Sequence, residues 1–84
     1  MPPQQRSILR LLFDHRPEPL TSLDIQRTLS MRQPNVHQSL EDLATNLILL
    51  RTGWRLLRSR VPNPSATGKH QRPTVYAYTL AVRA

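Results

Sequence analysis

Four polar side chains, Gln33, Asn35, His37 and Gln38, crowd around Pro34. Amides present a donor beside an acceptor, and imidazole offers one of each, which is the chemistry that pairs with base edges in the DNA major groove. Such groups read sequence only when a rigid element holds them. Pro34 suits the first turn of a helix, where its missing N–H has no partner to lose. From there Val36, Leu40, Leu43, Leu47 and Leu50 recur at spacings of four and three, which keeps them on one helical face. The spacing predicts a helix over about 34–51, with the polar residues opposite or flanking a packed stripe. Gly53 suits its left-handed cap and Arg51 its last turn. Ile48 and Leu49 stand partly outside the stripe and read either as the start of a strand or as contact with a second subunit. A polar first turn is also the ordinary solvated surface of an all-helical domain, so the neighbouring elements have to carry the distinction.

The stretch Leu20–Leu43, LTSLDIQRTLSMRQPNVHQSLEDL, reads as two short helices joined by a tight turn. Thr21 suits an N-cap, Asp24 is placed to reach back to it, and Leu20 and Ile25 are placed to form a hydrophobic staple. A helix over about 22–30 then packs Ile25 and Leu29 inward and turns Gln26, Arg27 and Thr28 to water. Upstream, residues 1–5 read as a loose lead into a helix over about 4–15, which carries Ile8, Leu11 and Leu12 on its inward stripe, helped by Leu9 and Phe13. It stops before Pro17, because the residue preceding a proline avoids helical angles. Residues 15–19 form a loop or a short extended bridge.

Beyond Gly53 the texture changes. Residues 54–61 and 73–82 read as two antiparallel strands, and in the second Tyr76, Tyr78, Leu80 and Val82 fall on one face. Trp54 and both tyrosines read first as packing residues. The eleven residues between, 62–72, are many for a plain hairpin. Lys69, His70, Gln71 and Arg72 sit near the tip, with Arg55, Arg58 and Arg60 on the adjoining strand. Such cations suit phosphates or a narrow minor groove.

Charge is distributed unevenly. Twelve Lys and Arg against five Asp and Glu give a net +7, and all five acids lie within residues 1–42, where five arginines balance them. The seven basic residues from Arg51 to Arg83 have no acid among them. A concentrated positive half is the footprint of a polyanion partner. With 84 residues the chain makes one domain, 1–84, which hides only about 60% of its unfolded surface and so has a thin core. No cysteine is present, so neither a disulfide nor a thiolate metal site is expected. There is no Gly-rich phosphate loop and no HExxH pair, and His15, His37 and His70 stand far apart, so neither an enzyme nor a bound metal or cofactor is expected. The apolar run Ile8–Phe13 is short and holds Arg10, which fits no spanning helix; a soluble, cytoplasmic protein is the expectation.

LTSLDIQRTLSM followed by QPNVHQSLEDL resembles helices 2 and 3 of a winged helix-turn-helix, and RPTVYAYTL is similar to its closing wing strand. The nearest likeness is to small MarR-like and ArsR-like transcription regulators. The resemblance implies an α+β fold of three helices followed by a two-stranded antiparallel β-wing, and a sequence-specific double-stranded DNA-binding function. It further implies base contacts from Gln33, Asn35, His37 and Gln38, a phosphate contact from Arg32, and wing contacts from Lys69, His70 and Arg72. Glu41 and Asp42 depart from the family pattern and would confine contact to the first turn. The chain also ends just after the wing, so a homodimer would use helix 1 or exposed apolar residues such as Leu49. The alternatives are a winged-helix module for protein contact and a non-specific nucleic-acid binder, RNA included, although few aromatics are available to stack on bases.

Overall fold

A computed structural model describes residues 2–63 and 73–82. The elements run α1 (Pro3–Asp14), β1 (Leu20–Thr21), α2 (Ser22–Leu29), α3 (Gln33–Leu49), β2 (Trp54–Pro62) and β3 (Thr74–Val82). The class is α+β, three helices with a three-stranded antiparallel sheet in the order β1-β3-β2. The sheet thus has one strand more than the sequence predicts. Leu20 pairs with Tyr78 and Thr21 with Ala77, which makes β3 the central strand. Two residues are too few to show alternation, and β1 exists only because β3 lies beside it.

Thr21 holds two roles at once. It ends β1 and caps α2: the Asp24 backbone N–H donates to its Oγ1 at 3.2 Å, and its own N–H donates to Asp24 Oδ2 at 3.1 Å. That exchange gives partners to donors that the helix start would otherwise leave unsatisfied. At the other end of α2, Ser30 takes the left-handed conformation (φ 53°, ψ 43°), and the Met31 N–H reaches back to the Gln26 carbonyl at 3.0 Å. The chain then turns within Ser30–Arg32 and enters α3, with Pro34 in its first turn.

The core is continuous across helices and sheet. Ile8, Leu11 and Leu12 of α1, Ile25 of α2, Val36, Leu40, Leu43 and Leu47 of α3, and Tyr78 and Leu80 of β3 form one buried cluster, with Leu20, Trp54 and Leu56 packed against it. Burying one aliphatic side chain contributes about 1.5–3 kcal/mol, so this cluster supplies the main favourable term of so small a domain. The sheet face that meets the helices carries Trp54 and Leu56 opposite Val82 and Leu80, then Arg58 and Arg60 opposite Tyr78 and Tyr76. The predicted stripe Tyr76, Tyr78, Leu80 and Val82 does share this face, but only Tyr78 and Leu80 are buried; Tyr76 and Val82 are exposed.

Two further expectations are corrected. The α3 stripe stops at Leu47, and Leu50 is 64% exposed, because α3 ends at Leu49 rather than near Arg51. Arg51 itself takes the left-handed position (φ 49°), the Arg51 N–H donates to the Ile48 carbonyl at 3.1 Å, and the Thr52 N–H donates to the Leu47 carbonyl at 3.3 Å. That is a Schellman arrangement, formed ahead of Gly53. Gln5, expected to be loose, is instead buried on α1, and its Oε1 accepts a 2.7 Å hydrogen bond from Asn46 Nδ2 of α3. The bond satisfies a polar pair that would otherwise cost several kcal/mol in an apolar setting.

Candidate nucleic-acid interface

At about 100° per residue, the polar residues at the start of α3 divide between two flanks. Gln33 and His37 lie one turn apart on the flank facing the β2–β3 hairpin. Asn35 is roughly 160° around from Gln33, on the far flank, and Gln38 lies near the outermost line, opposite Leu40. All four are exposed. Gln33 and His37, with Ser22 and Gln26 of α2 and Arg60 and Tyr76 of the hairpin, line a groove of about 720 Å³. The sequence alone brings together only the residues of α3; the groove joins them to the hairpin.

The two acids of the third turn, Glu41 and Asp42, each lie beside a polar side chain of the same helix. Gln38 Nε2 donates to Asp42 Oδ1 at 3.0 Å, and His37 Nε2 lies 3.9 Å from Glu41 Oε1. Asp42 therefore orients the Gln38 amide one turn nearer the helix start, while both carboxylates keep anions on the same surface. Both pairs are solvent-exposed, so their contribution to stability is small. Among the described residues, no hydrogen bond or ion pair holds the side chains of Arg32, Gln33 or Asn35.

Across the groove, two guanidinium groups share one ring. Arg58 Cζ lies 4.3 Å and Arg60 Cζ 5.6 Å from the Tyr76 ring centre, and Arg60 Nη2 donates to Tyr76 Oη at 3.4 Å. Register explains the cluster: Arg60 stands directly opposite Tyr76, and Arg58 is one diagonal step away on the same face. A cation over a ring is attracted by the ring's negative face, which holds these long side chains in position while most of their donors still point to solvent. The alternation of residues 54–61 already places Arg58 and Arg60 on one face, but the partner ring follows only from the strand pairing.

A second arginine–aromatic cluster lies at the opposite end of the hairpin. Phe13 and Trp54 meet edge to face at 5.6 Å between ring centres, and Arg16 Cζ lies 4.0 Å and 4.5 Å from the two rings. Arg16 Nε also donates to the Phe13 carbonyl at 3.1 Å.

Below the Arg58–Tyr76 contact, Tyr78 is only 7% exposed. Burial pushes its phenol above the ordinary value of 10.0; the Arg58 charge works against this, and Tyr76 and Glu41 add to it. Glu41 of α3 and Arg58 of the hairpin thus both act on Tyr78, with opposite signs.

Lys69, His70 and Arg72 lie outside the described residues. Among those described, no group of three His, Asp or Glu side chains is arranged to hold a metal ion, and no helix is long and apolar enough to cross a membrane. Comparison with protein-family models, with curated proteins and with solved structures gives no significant match.

Proposed function

We propose that this chain is a sequence-specific double-stranded DNA-binding protein of the winged helix-turn-helix kind, acting as a cytoplasmic transcription regulator. In this reading α2 and α3 form the helix-turn-helix, α3 enters the major groove, and the β2–β3 hairpin is the wing that lies along the backbone. The observation that carries it is the shared groove: Gln33 and His37 on α3 line it together with Tyr76 and Arg60 of the hairpin, so candidate base readers and a candidate phosphate contact lie on one surface, with Arg58 on the same ring. The lopsided charge agrees with a polyanion partner.

The geometry supports different roles within α3. Gln38 on the outermost line and Asn35 beside it reach base edges, with Asp42 fixing the Gln38 amide. Gln33 and His37 serve the side of the groove nearer the wing, and Arg32 at the helix start contacts phosphate. Glu41 and Asp42 limit insertion to the first turns, because a carboxylate facing phosphate is repelled. Lys69, His70 and Arg72 extend the wing contacts along the backbone.

The test is selection from a random double-stranded DNA pool at two salt concentrations, with sequencing of what stays bound at the higher one. An enriched motif is the expected result. Salt-sensitive binding without a motif replaces the regulator with a non-specific binder. No binding at low salt favours a module for protein contact, the reading supported by the consecutive exposed residues Ile48, Leu49 and Leu50.

A further inference from the structure

The outer edge of β2 is the least finished part of the fold. With the order β1-β3-β2, this nine-residue strand pairs on one side only among the described residues. Its register with β3 runs from Trp54 to Pro62 without a bulge. Proteins commonly blunt such an edge by shortening it, bulging it, charging it or placing proline within it, and of these β2 has the charges of Arg55, Arg58 and Arg60. Here the proline comes only at the last residue, and Leu57, in the middle, is 49% exposed on the face opposite the helices.

We propose that β2 pairs with β2 of a second copy of this chain, antiparallel about a two-fold axis at Leu57, to form one continuous six-stranded sheet. Symmetry and charge select that register. A two-fold relation between neighbouring antiparallel strands runs normal to the sheet, so directly opposed residues must share a face. Centring the axis on Arg55, Arg58 or Arg60 sets that arginine against itself, and centring it on Ser59 sets Arg58 against Arg60; like charges directly opposite are destabilising. Centring it on Leu57 sets Arg60 against Trp54, Arg58 against Leu56 and Arg55 against Ser59, with Leu57 against its own copy. The axis at Leu56 also avoids a clash but pairs fewer residues of the strand. The Leu57 register therefore pairs Trp54 through Arg60, covers the exposed leucine, and offers each arginine an apolar or hydroxyl neighbour. Because the axis is normal to the sheet, both helical layers lie on the same side of it. The pairing does not depend on what α3 binds.

The chain's lack of cysteine allows a direct test. The wild-type protein is expected to sediment as a concentration-dependent dimer that strengthens as salt rises, since each copy carries +7 and screening relieves their repulsion. Leu57→Lys places two ammonium groups opposite each other and is expected to give a monomer with an unchanged far-UV circular dichroism spectrum. Leu57→Cys is expected to form a disulfide-linked dimer on mild oxidation, because directly opposed Cα atoms about 4.5–5.5 Å apart fall within disulfide reach. Ser59→Cys on the same face is expected not to link, its two copies being offset by about 13 Å along the strands. A wild-type monomer at every concentration overturns the proposal. So does a dimer that survives Leu57→Lys, or one that links through position 59 and not through 57.

Discussion

The two arginine–aromatic clusters use the same chemistry in opposite proportions. At the start of β2, one guanidinium serves two rings: Arg16 lies over Phe13 and Trp54 and also donates to the Phe13 carbonyl. Near the far end of β2, two guanidinium groups serve one ring, Tyr76. In the first cluster the exposed Arg16 guanidinium stacks on two rings and donates to one carbonyl, and the contact ties the end of α1 to the start of the hairpin. In the second, attraction to the ring must offset repulsion between the two arginines, and Arg60 lines the groove with Gln33 and His37. The first arrangement stabilises the fold, and the second keeps positive charge available to an anion.

The largest effect expected from breaking this contrast is at Trp54. Trp54→Ala removes a ring from Arg16 and Phe13 and opens the edge of the core. It is expected to lower unfolding free energy by about 2–3 kcal/mol, below the ~3–5 kcal/mol typical of a fully buried aromatic, because Trp54 is only partly buried. Denaturant unfolding measures the loss. DNA affinity of the molecules that remain folded should not change, and a selective loss of affinity would move the first cluster into the binding surface.

The double substitution Arg58→Ala with Arg60→Ala should do the reverse. Stability should stay within about 0.5 kcal/mol, as for most exposed substitutions. The slope of log affinity against log salt should fall by about 2, one for each phosphate that the variant no longer touches. Titrations at several salt concentrations check this, and an unaltered slope would show that the second cluster does not touch the backbone. Next in size, Gln38→Ala is expected to relax preference at one base pair by about 1–3 kcal/mol while leaving the salt slope intact. Binding to a panel of single-base variants of the selected site separates this outcome from a uniform loss, which would make Gln38 a mere surface residue.

The difference between the clusters also marks where local sequence stops being informative. Thr21 and Asp24 announce the start of α2 through two side chains three residues apart, and Pro34 followed by Val36, Leu40, Leu43 and Leu47 announces α3; these are short-range patterns that the chain carries by itself. β1 is invisible because Leu20 and Thr21 become a strand only when Tyr78 and Ala77 arrive beside them. The sequence points past the true end of α3 because Gly53 is the better left-handed residue by type and does take a positive φ of 80°, yet Arg51 takes the cap position once packing ends at Leu47. At the candidate site, the polar start of α3 is legible as a type of chemistry. Its division between two flanks follows from helical geometry, whereas the place of Tyr76 beneath two arginines requires the register of β2 against β3.

A smaller effect tests whether the turn before α3 is a fixed support for the proposed binding side. Ser30 holds a left-handed conformation, which costs a residue with a side chain about 1–2 kcal/mol, and glycine adopts it freely. Ser30→Gly also gives the unfolded chain more freedom, which cancels about 0.4–1 kcal/mol of that relief. The net gain expected in thermal or denaturant unfolding is roughly 0.5 kcal/mol. An equal affinity for DNA would show that the turn is already in its bound shape, and a decrease would show that serine restrains it usefully.

The subtlest separation of the two clusters is by pH. Tyr78 lies under the Arg58–Tyr76 contact and its phenol is raised above 10.0 in the folded protein, chiefly by burial. The folded state thus keeps this proton at a pH where the unfolded chain has begun to release it. Fewer protons are then bound in the unfolded state, so stability falls as pH rises from the unfolded value of about 10 through the higher folded value. Below that window the contribution of Tyr78 is fully present. Urea unfolding at a series of pH values, compared with Tyr78→Phe, isolates it from the exposed Tyr76: the variant should lose the part of the alkaline decline that belongs to Tyr78. If the two decline in parallel, burial does not hold this phenol neutral, and the base of the second cluster is more open to water than its 7% exposure indicates.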